Sequence, residues 1–425
     1  MMMQSWFPDA KLGIFIHYGI YAVEGIPESW SLFSGQVTPE VYWGQLSGFT
    51  ASKYNPEQWA DLFAKAGAKY AVLTTKHHDG VALWDTKQDG RSVVKDTPAG
   101  RDLITPYAEA LRRHDLKVGF YFSHLDWAHP DYASVRQKGS HYSDFSNRFA
   151  FPEEGKEDPA KWERFLKFHR AQMDELCTEF GPVDLFWFDG DWERDPEQWD
   201  FAELRDRIHA KQPTAILNSR LLGLGDYATP EQGQPVTAPD GVWEFCMTVN
   251  DSWGYQKQDH NDKSVKRLVR IFAETIGLGG NLLLDVGPTE DGQITPVQTE
   301  RLLGLGRWVH KHDEAIYGTV AGLPGGLFYG TSTLSKDGNT LYLMQFDVPR
   351  EFVNVRGVAS NVKSVSVVGT GQKLEFKKVK MADWMGVPSD LEFQIPDDFV
   401  PDEDCTVYKV ELEEPIKLNL GKGRS

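Results

Sequence analysis

The sequence predicts an α/β fold: a (β/α)8-like TIM barrel over residues 1–318, followed by an antiparallel β-sandwich over residues 319–425. Two patterns predict it. Up to about residue 318, short apolar runs alternate with longer amphipathic stretches. Beyond it the apolar runs become shorter, several alternate with period two, and turn residues punctuate them.

The apolar runs of the first part are Leu12–Gly19, Tyr70–Lys76, Lys117–Ser123, Asp184–Gly190, Ala215–Arg220, Trp243–Met247 and Asn281–Gly287, with Asp226–Thr229 as a short eighth. Helical patterns lie between them at Glu57–Gly67, Leu103–Asp115, Pro159–Gly181, Glu197–Gln212, Lys263–Leu278 and Pro296–Tyr317. Several open on a capping residue or on a proline suited to the first helical turn. Strands that are apolar throughout need both faces covered, which a parallel sheet wrapped by helices provides. A doubly wound sheet is the alternative, but it would usually carry a glycine-rich phosphate loop after its first strand. Here that strand runs into His17-Tyr18-Gly19. After Gly318 the expected strands are Leu341–Val348, Phe352–Val355, Val365–Val368, Leu374–Val379, Leu391–Ile395 and Val407–Leu412. The turns are carried by Asp337-Gly338-Asn339, Gly369–Gly371 and Pro396-Asp397-Asp398.

Composition narrows the function classes. Lys and Arg number 45 against 62 Asp and Glu, a formal charge of −17, with no basic stripe. Nucleic acid and anionic membrane surfaces are therefore poor partners, because both are bound through clustered cations. Cys177, Cys246 and Cys405 are far apart and odd in number, so neither a disulfide framework nor a structural zinc site is expected. There is no basic-then-apolar leader at the N-terminus and no run of ~20 apolar residues. The chain reads as soluble, either cytoplasmic or exported under a signal that it does not carry.

Reactive groups of a barrel sit at the C-terminal ends of its strands. Those ends read His17-Tyr18, His77-His78-Asp79, Tyr121 with Ser123-His124, Trp187-Phe188-Asp189, and Asn218-Ser219-Arg220. Asp226–Glu231 and Trp243-Glu244 follow. Together they describe one cup lined by aromatic rings, histidines, an arginine and carboxylates, a composition suited to a sugar. Cleaving a glycosidic bond needs two carboxyl groups astride it. Asp189 ends a strand that should be buried, so its desolvation needs a reason, and it is the candidate nucleophile. Glu231, in a proline-containing loop, and Glu244, beside Trp243, are the candidate acids; spacing does not choose between them. His77 and His78 are adjacent on a strand end and should point to opposite faces unless the strand breaks there.

Further along, the residues carry a family resemblance. Trp6-Phe7 leading to Lys11–Gly19, Thr75–Gly80, Phe186–Gly190, Ser252–Tyr255 and Gly279–Pro288 resemble, in order, the motifs of the α-L-fucosidases of glycoside hydrolase family 29. The resemblance implies a retaining exo-hydrolase of terminal α-L-fucose acting on fucosylated glycans, with no metal and no organic cofactor. It implies Asp189 as nucleophile and His17, His77, His78, Tyr121, Trp187, Arg220 and Trp253 as fucose-binding residues. Glu28 and Trp30 resemble a further sugar-contacting pair, although Ser29 separates them here. The Asp226–Glu231 segment is similar to members whose acid/base lies in that loop, many of which act on α-1,3/1,4-linked fucose, and this selects Glu231 over Glu244. Two alternatives remain: a barrel hydrolase with His17, His77 and Asp189 as metal ligands, and a carbohydrate-binding protein without catalysis.

Overall fold

The computed structural model describes residues 3–132, 158–348, 351–380, 386–387 and 389–421. Seven parallel strands form one curved sheet: β1 (Leu12–Ile16), β2 (Tyr70–Lys76), β3 (Lys117–Ser123), β4 (Leu185–Asp189), β5 (Ile216–Leu217), β6 (Glu244–Thr248) and β7 (Asn281–Val286). Their order, β5-β4-β3-β2-β1-β7-β6, leaves β5 and β6 as the two edges. Residues 227–231 span the space between those edges through isolated parallel bridges, Tyr227 to Asn218, Ala228 to Trp243 and Glu231 to Cys246. The eighth position of the barrel is thus an irregular segment that runs past Thr229 to Glu231. Pro230 lies in it, and its missing N–H interrupts any regular ladder.

The helices begin where the sequence supplies caps. Asn55, Asp158, Ser264 and Thr295 each accept a backbone N–H of the first turn, and Pro56, Pro159 and Pro296 open three of the four helices. The expected helix Glu197–Gln212 is two helices, Pro196–Trp199 and Phe201–Lys211. Asp200 breaks it with a left-handed φ of 47° and caps the second piece by accepting the Glu203 N–H. Every residue of β1, β2, β6 and β7 is buried. Each fully buried leucine or isoleucine there contributes roughly 1.5–3 kcal/mol, which offsets the desolvation of polar groups at the strand ends.

From Thr319 the strands are antiparallel. One sheet has the order β12-β15-β10-β9-β8 and the other β11-β14-β13. They comprise β8 (Thr319–Ala321), β9 (Thr331–Ser335), β10 (Thr340–Gln345), β11 (Phe352–Arg356), β12 (Val362–Val367), β13 (Phe376–Val379), β14 (Asp390–Gln394) and β15 (Thr406–Leu412). Leu341, Leu343, Val353, Leu391, Phe393 and Val410 pack between the sheets as one core. The sandwich docks on the barrel's last helix, where Trp308 Nε1 donates to the Cys405 carbonyl at 2.9 Å. All three cysteines are buried and unpaired. Among the described residues no helix is long and apolar enough to cross a membrane.

Candidate active site

A cavity of ≈ 80 Å³ opens at the C-terminal ends of the barrel strands. Phe15 from β1, His17 just after it, His77 after β2, Tyr121 from β3, and Trp187 and Asp189 from β4 line it. Arg220, Glu231 and Trp253 come from later loops, and Trp30 and Trp192 complete the wall. Nine of the residues expected at the site therefore meet in one cavity: His17, Trp30, His77, Tyr121, Trp187, Asp189, Arg220, Glu231 and Trp253.

Asp189 is the last residue of β4. Its Oδ2 accepts the Tyr121 hydroxyl at 3.1 Å, and Oδ1 accepts Arg220 Nη1 at 2.9 Å and the Gly190 N–H at 3.1 Å. His78 Nε2 lies 3.6 Å from Oδ2. Burial raises the Asp189 carboxyl above its usual range, and Arg220 and these donors pull it back. Gly190 is required for the turn that follows: its φ is 88°, and a Cβ there would meet Leu125 Cγ at 2.4 Å.

Arg220 joins the two carboxylates. While Nη1 holds Asp189, Nη2 donates to Glu231 Oε2 at 2.6 Å. Burial pushes the Glu231 carboxyl up, the Asp189 charge adds to that, and Arg220 opposes both. Glu244 is placed differently. It is the first residue of β6, not a residue at the strand's C-terminal end. Its carboxylate accepts the hydroxyl of Tyr70, the first residue of β2, and Trp187 Nε1 at 2.9 Å. Glu244 thus lies beneath the cavity as a floor residue under Trp187, and burial raises its carboxyl to about 7. It orients the Trp187 ring rather than Arg220.

The adjacent histidines lie where the strand breaks. His77 and His78 do not point to opposite faces; their ring centroids are 4.3 Å apart. The register shifts between Thr74 and Lys76, and β2 ends at Lys76, so strand alternation no longer governs them. His77 Nδ1 meets Ser29 Oγ at 2.6 Å, and His78 Nδ1 meets Ser123 Oγ at 2.6 Å. His17 Nδ1 lies 2.6 Å from Asp285 Oδ1. Burial holds all three rings neutral, with pKa values well below the usual histidine range. Glu28, expected to touch the sugar, does not line the cavity; it is buried and accepts the Gly254 N–H, bracing the loop that carries Trp253. Ser29 contacts His77, so the residue that interrupts the expected pair has a partner of its own.

Two lining residues stand at the strand ends without having been given a role. Phe15 precedes His17 by two positions and so shares its face of the strand. Trp192 follows Asp189 by three residues, just past the glycine turn. The aromatic walls are built tightly: Tyr121 stacks on Trp187 at 5.7 Å and on His77 at 5.5 Å. Among the described residues no three His, Cys, Asp or Glu side chains gather as a metal site.

The α-L-fucosidase family pattern matches residues 1–314. Tissue α-L-fucosidase of Bos taurus is 32% identical over 344 residues, covering 74% of this chain and 69% of its own length, and that of Homo sapiens matches equally. Among solved structures, α-L-fucosidase isoenzyme 1 from Paenibacillus thiaminolyticus superposes with a TM-score of 0.85 at 33% identity, covering 96% of this chain and 98% of its own. The Thermotoga maritima α-fucosidase gives 0.76 at 30%, covering 95% and 96%. With the family pattern spanning the whole barrel, this chain belongs to the α-L-fucosidase family of glycoside hydrolases.

Proposed function

We propose that this chain hydrolyses terminal α-L-fucose from fucosylated glycans, by double displacement with retained configuration. The observation that carries the reading is the single guanidinium of Arg220 touching both Asp189 and Glu231 in a cavity walled by aromatic rings and histidines. A retaining mechanism places its two carboxyl groups ~5–5.5 Å apart on either side of the scissile bond. Asp189 Oδ attacks the anomeric carbon, and Glu231 gives its proton to the departing oxygen. A fucosyl ester on Asp189 results. Glu231, now a carboxylate, takes a proton from water, which attacks the ester and frees fucose. The raised Glu231 carboxyl suits the first step; burial raises the Asp189 carboxyl as well, and Arg220 and Tyr121, which oppose that rise, favour the carboxylate that attack requires.

His17, His77, His78 and Arg220 supply hydrogen bonds to hydroxyls, while Phe15, Trp187 and Trp253 offer apolar faces to the ring. The narrow cavity favours release of a terminal residue. Glu231 on the segment between β5 and β6 supports preference for α-1,3/1,4 linkages. The catalytic unit is assigned to residues 1–318 and the sandwich to 319–425. The test is a panel of fucosylated oligosaccharides followed by proton NMR from the first turnover. Initial α-fucose from the α-1,3/1,4 members is expected. Initial β-fucose would exclude retention, and no fucose from any member would remove the reading.

A further inference from the structure

Buried behind Asp189 is a chain of polar side chains that the chemistry above does not use. His124, just after β3, is completely buried, as is His169 on the helix Pro159–Thr178. His124 Nδ1 lies 3.1 Å from His169 Nε2, and His169 Nδ1 lies 3.1 Å from Arg170 Nη1. At the other end, His124 Nε2 lies 3.2 Å from the Arg220 carbonyl. Both ends of this chain have a fixed sense. A guanidinium can only donate and a carbonyl can only accept. Every proton is therefore placed: Arg170 donates to His169 Nδ1, His169 Nε2–H to His124 Nδ1, and His124 Nε2–H to the Arg220 carbonyl. Either ring gaining a second proton would set two donors face to face. Burial agrees, holding His124 down at about 3 and His169 well below its ordinary value.

Arg170 is anchored in turn. Its Nε donates to Glu203 Oε2 at 2.8 Å, and Nη2 donates to the carbonyls of Trp199 and Asp200. The latter two carbonyls lie at the break between the two helices of 196–211. At the inner end, the His124 backbone N–H donates to the Asp189 carbonyl at 2.8 Å. One residue therefore holds the backbones of both Asp189 and Arg220. The hold on Asp189 continues the β3–β4 ladder, which pairs Ser123 with Asp189, whereas the hold on Arg220 lies beyond the sheet, because the β4–β5 ladder pairs only Leu185 with Ile216 and Phe186 with Leu217.

We infer that His124, fixed by His169 and Arg170, is a positioning residue that sets Arg220 against Asp189 and Glu231. The inference rests on the roles proposed for those two carboxylates. Displacement of a reacting group by ~1 Å can cost roughly 10²-fold. His124→Phe keeps the ring that stacks on Phe188 but removes both of its side-chain hydrogen bonds. It is expected to lower kcat on an aryl α-L-fucoside by roughly 10²-fold, with KM moved far less. His124→Gln can still offer an N–H to the Arg220 carbonyl and should recover most of the loss. Wild-type kcat in folded His124→Phe, or no difference between the two variants, would overturn the inference.

Nitrogen-15 NMR of imidazole-labelled wild-type protein tests the same wiring even if His124→Phe does not fold. Both rings should be neutral Nε2–H tautomers across the activity range. An Nδ1–H tautomer or a charged ring at either position would overturn it. If the tautomers are as stated but Asp189→Ala keeps its turnover, the catalytic assignment fails instead, and the positioning role falls with it.

Discussion

From β6 through β7, β1, β2 and β3 to β4, the barrel wall is a continuous ladder, whereas from β5 to β6 it is a two-residue strand and a set of single bridges. The two arcs carry different members of the site. The regular arc holds Asp189, His17 and Tyr121, each locked by neighbours on adjoining strands. The irregular arc holds Arg220 and Glu231. Their exposure follows the same division: the Asp189 side chain is 15% exposed and that of Glu231 is 38%. A nucleophile needs one fixed line of attack. An acid that later becomes a base must exchange protons with solvent, and a loosely laddered segment at the cavity mouth permits that.

The largest expected effect belongs to the regular arc. Asp189→Ala should reduce kcat by roughly 10⁴-fold or more, with the far-ultraviolet circular dichroism unchanged. A variant that retains even a tenth of the activity would take Asp189 out of the nucleophile role and dissolve the contrast between the arcs.

On the irregular arc the loss depends on the leaving group. Glu231→Ala should cost roughly 10³-fold on an oligosaccharide, within the range for a general acid, and much less on an aryl fucoside, whose phenolate leaves unaided. Azide should then restore turnover by attacking the fucosyl ester without a base, giving a fucosyl azide. Glu231→Gln should also lose the basic limb of kcat/KM, because that limb reports deprotonation of the acid. The acid limb, set by protonation of Asp189, should persist. Azide rescue in Glu244→Ala and not in Glu231→Ala would transfer the role to the floor residue.

Most of the regular arc is legible in the sequence. Strands that are apolar throughout announce themselves, and β2 and β3 begin and end where their runs do. Legibility fails where chain direction changes within one or two residues. The left-handed turn at Asp200 interrupts a helix that periodicity reads as continuous. The shift between Thr74 and Lys76 brings His77 and His78 together against strand alternation. β8 and β9 escape notice because TVA is only three residues long and TSTLS is largely polar, and both are paired through backbone bonds that leave no apolar pattern. The His124–His169–Arg170 chain was equally invisible. His124 and His169 are 45 residues apart in the chain, and only the fold makes them neighbours.

The smallest effect separates the two glutamates by stability rather than rate. Glu244 is fully buried, with its carboxyl raised from 4.5 to about 7, so folding takes up a proton between those values. The stability it contributes is complete below about pH 4.5 and is lost as pH rises to about 7, after which it changes no further. The loss is on the order of 3 kcal/mol. Glutamine at 244 is neutral throughout and can still meet Tyr70, whose hydroxyl turns to accept. Urea unfolding at pH 4 and pH 8 should therefore show Glu244→Gln gaining on the wild type by that order at the higher pH. Glu193 and Asp79, buried carboxyls raised to about 7 and about 6, contribute the same slope to both proteins and cancel in the difference. Glu231→Gln, changed on the open arc, should shift the slope in the same direction but by less, because Arg220 opposes the rise that burial gives the Glu231 carboxyl. If the two variants behave alike, Glu244 is as well solvated as Glu231, and the distinction between a floor residue and a residue at the mouth is lost.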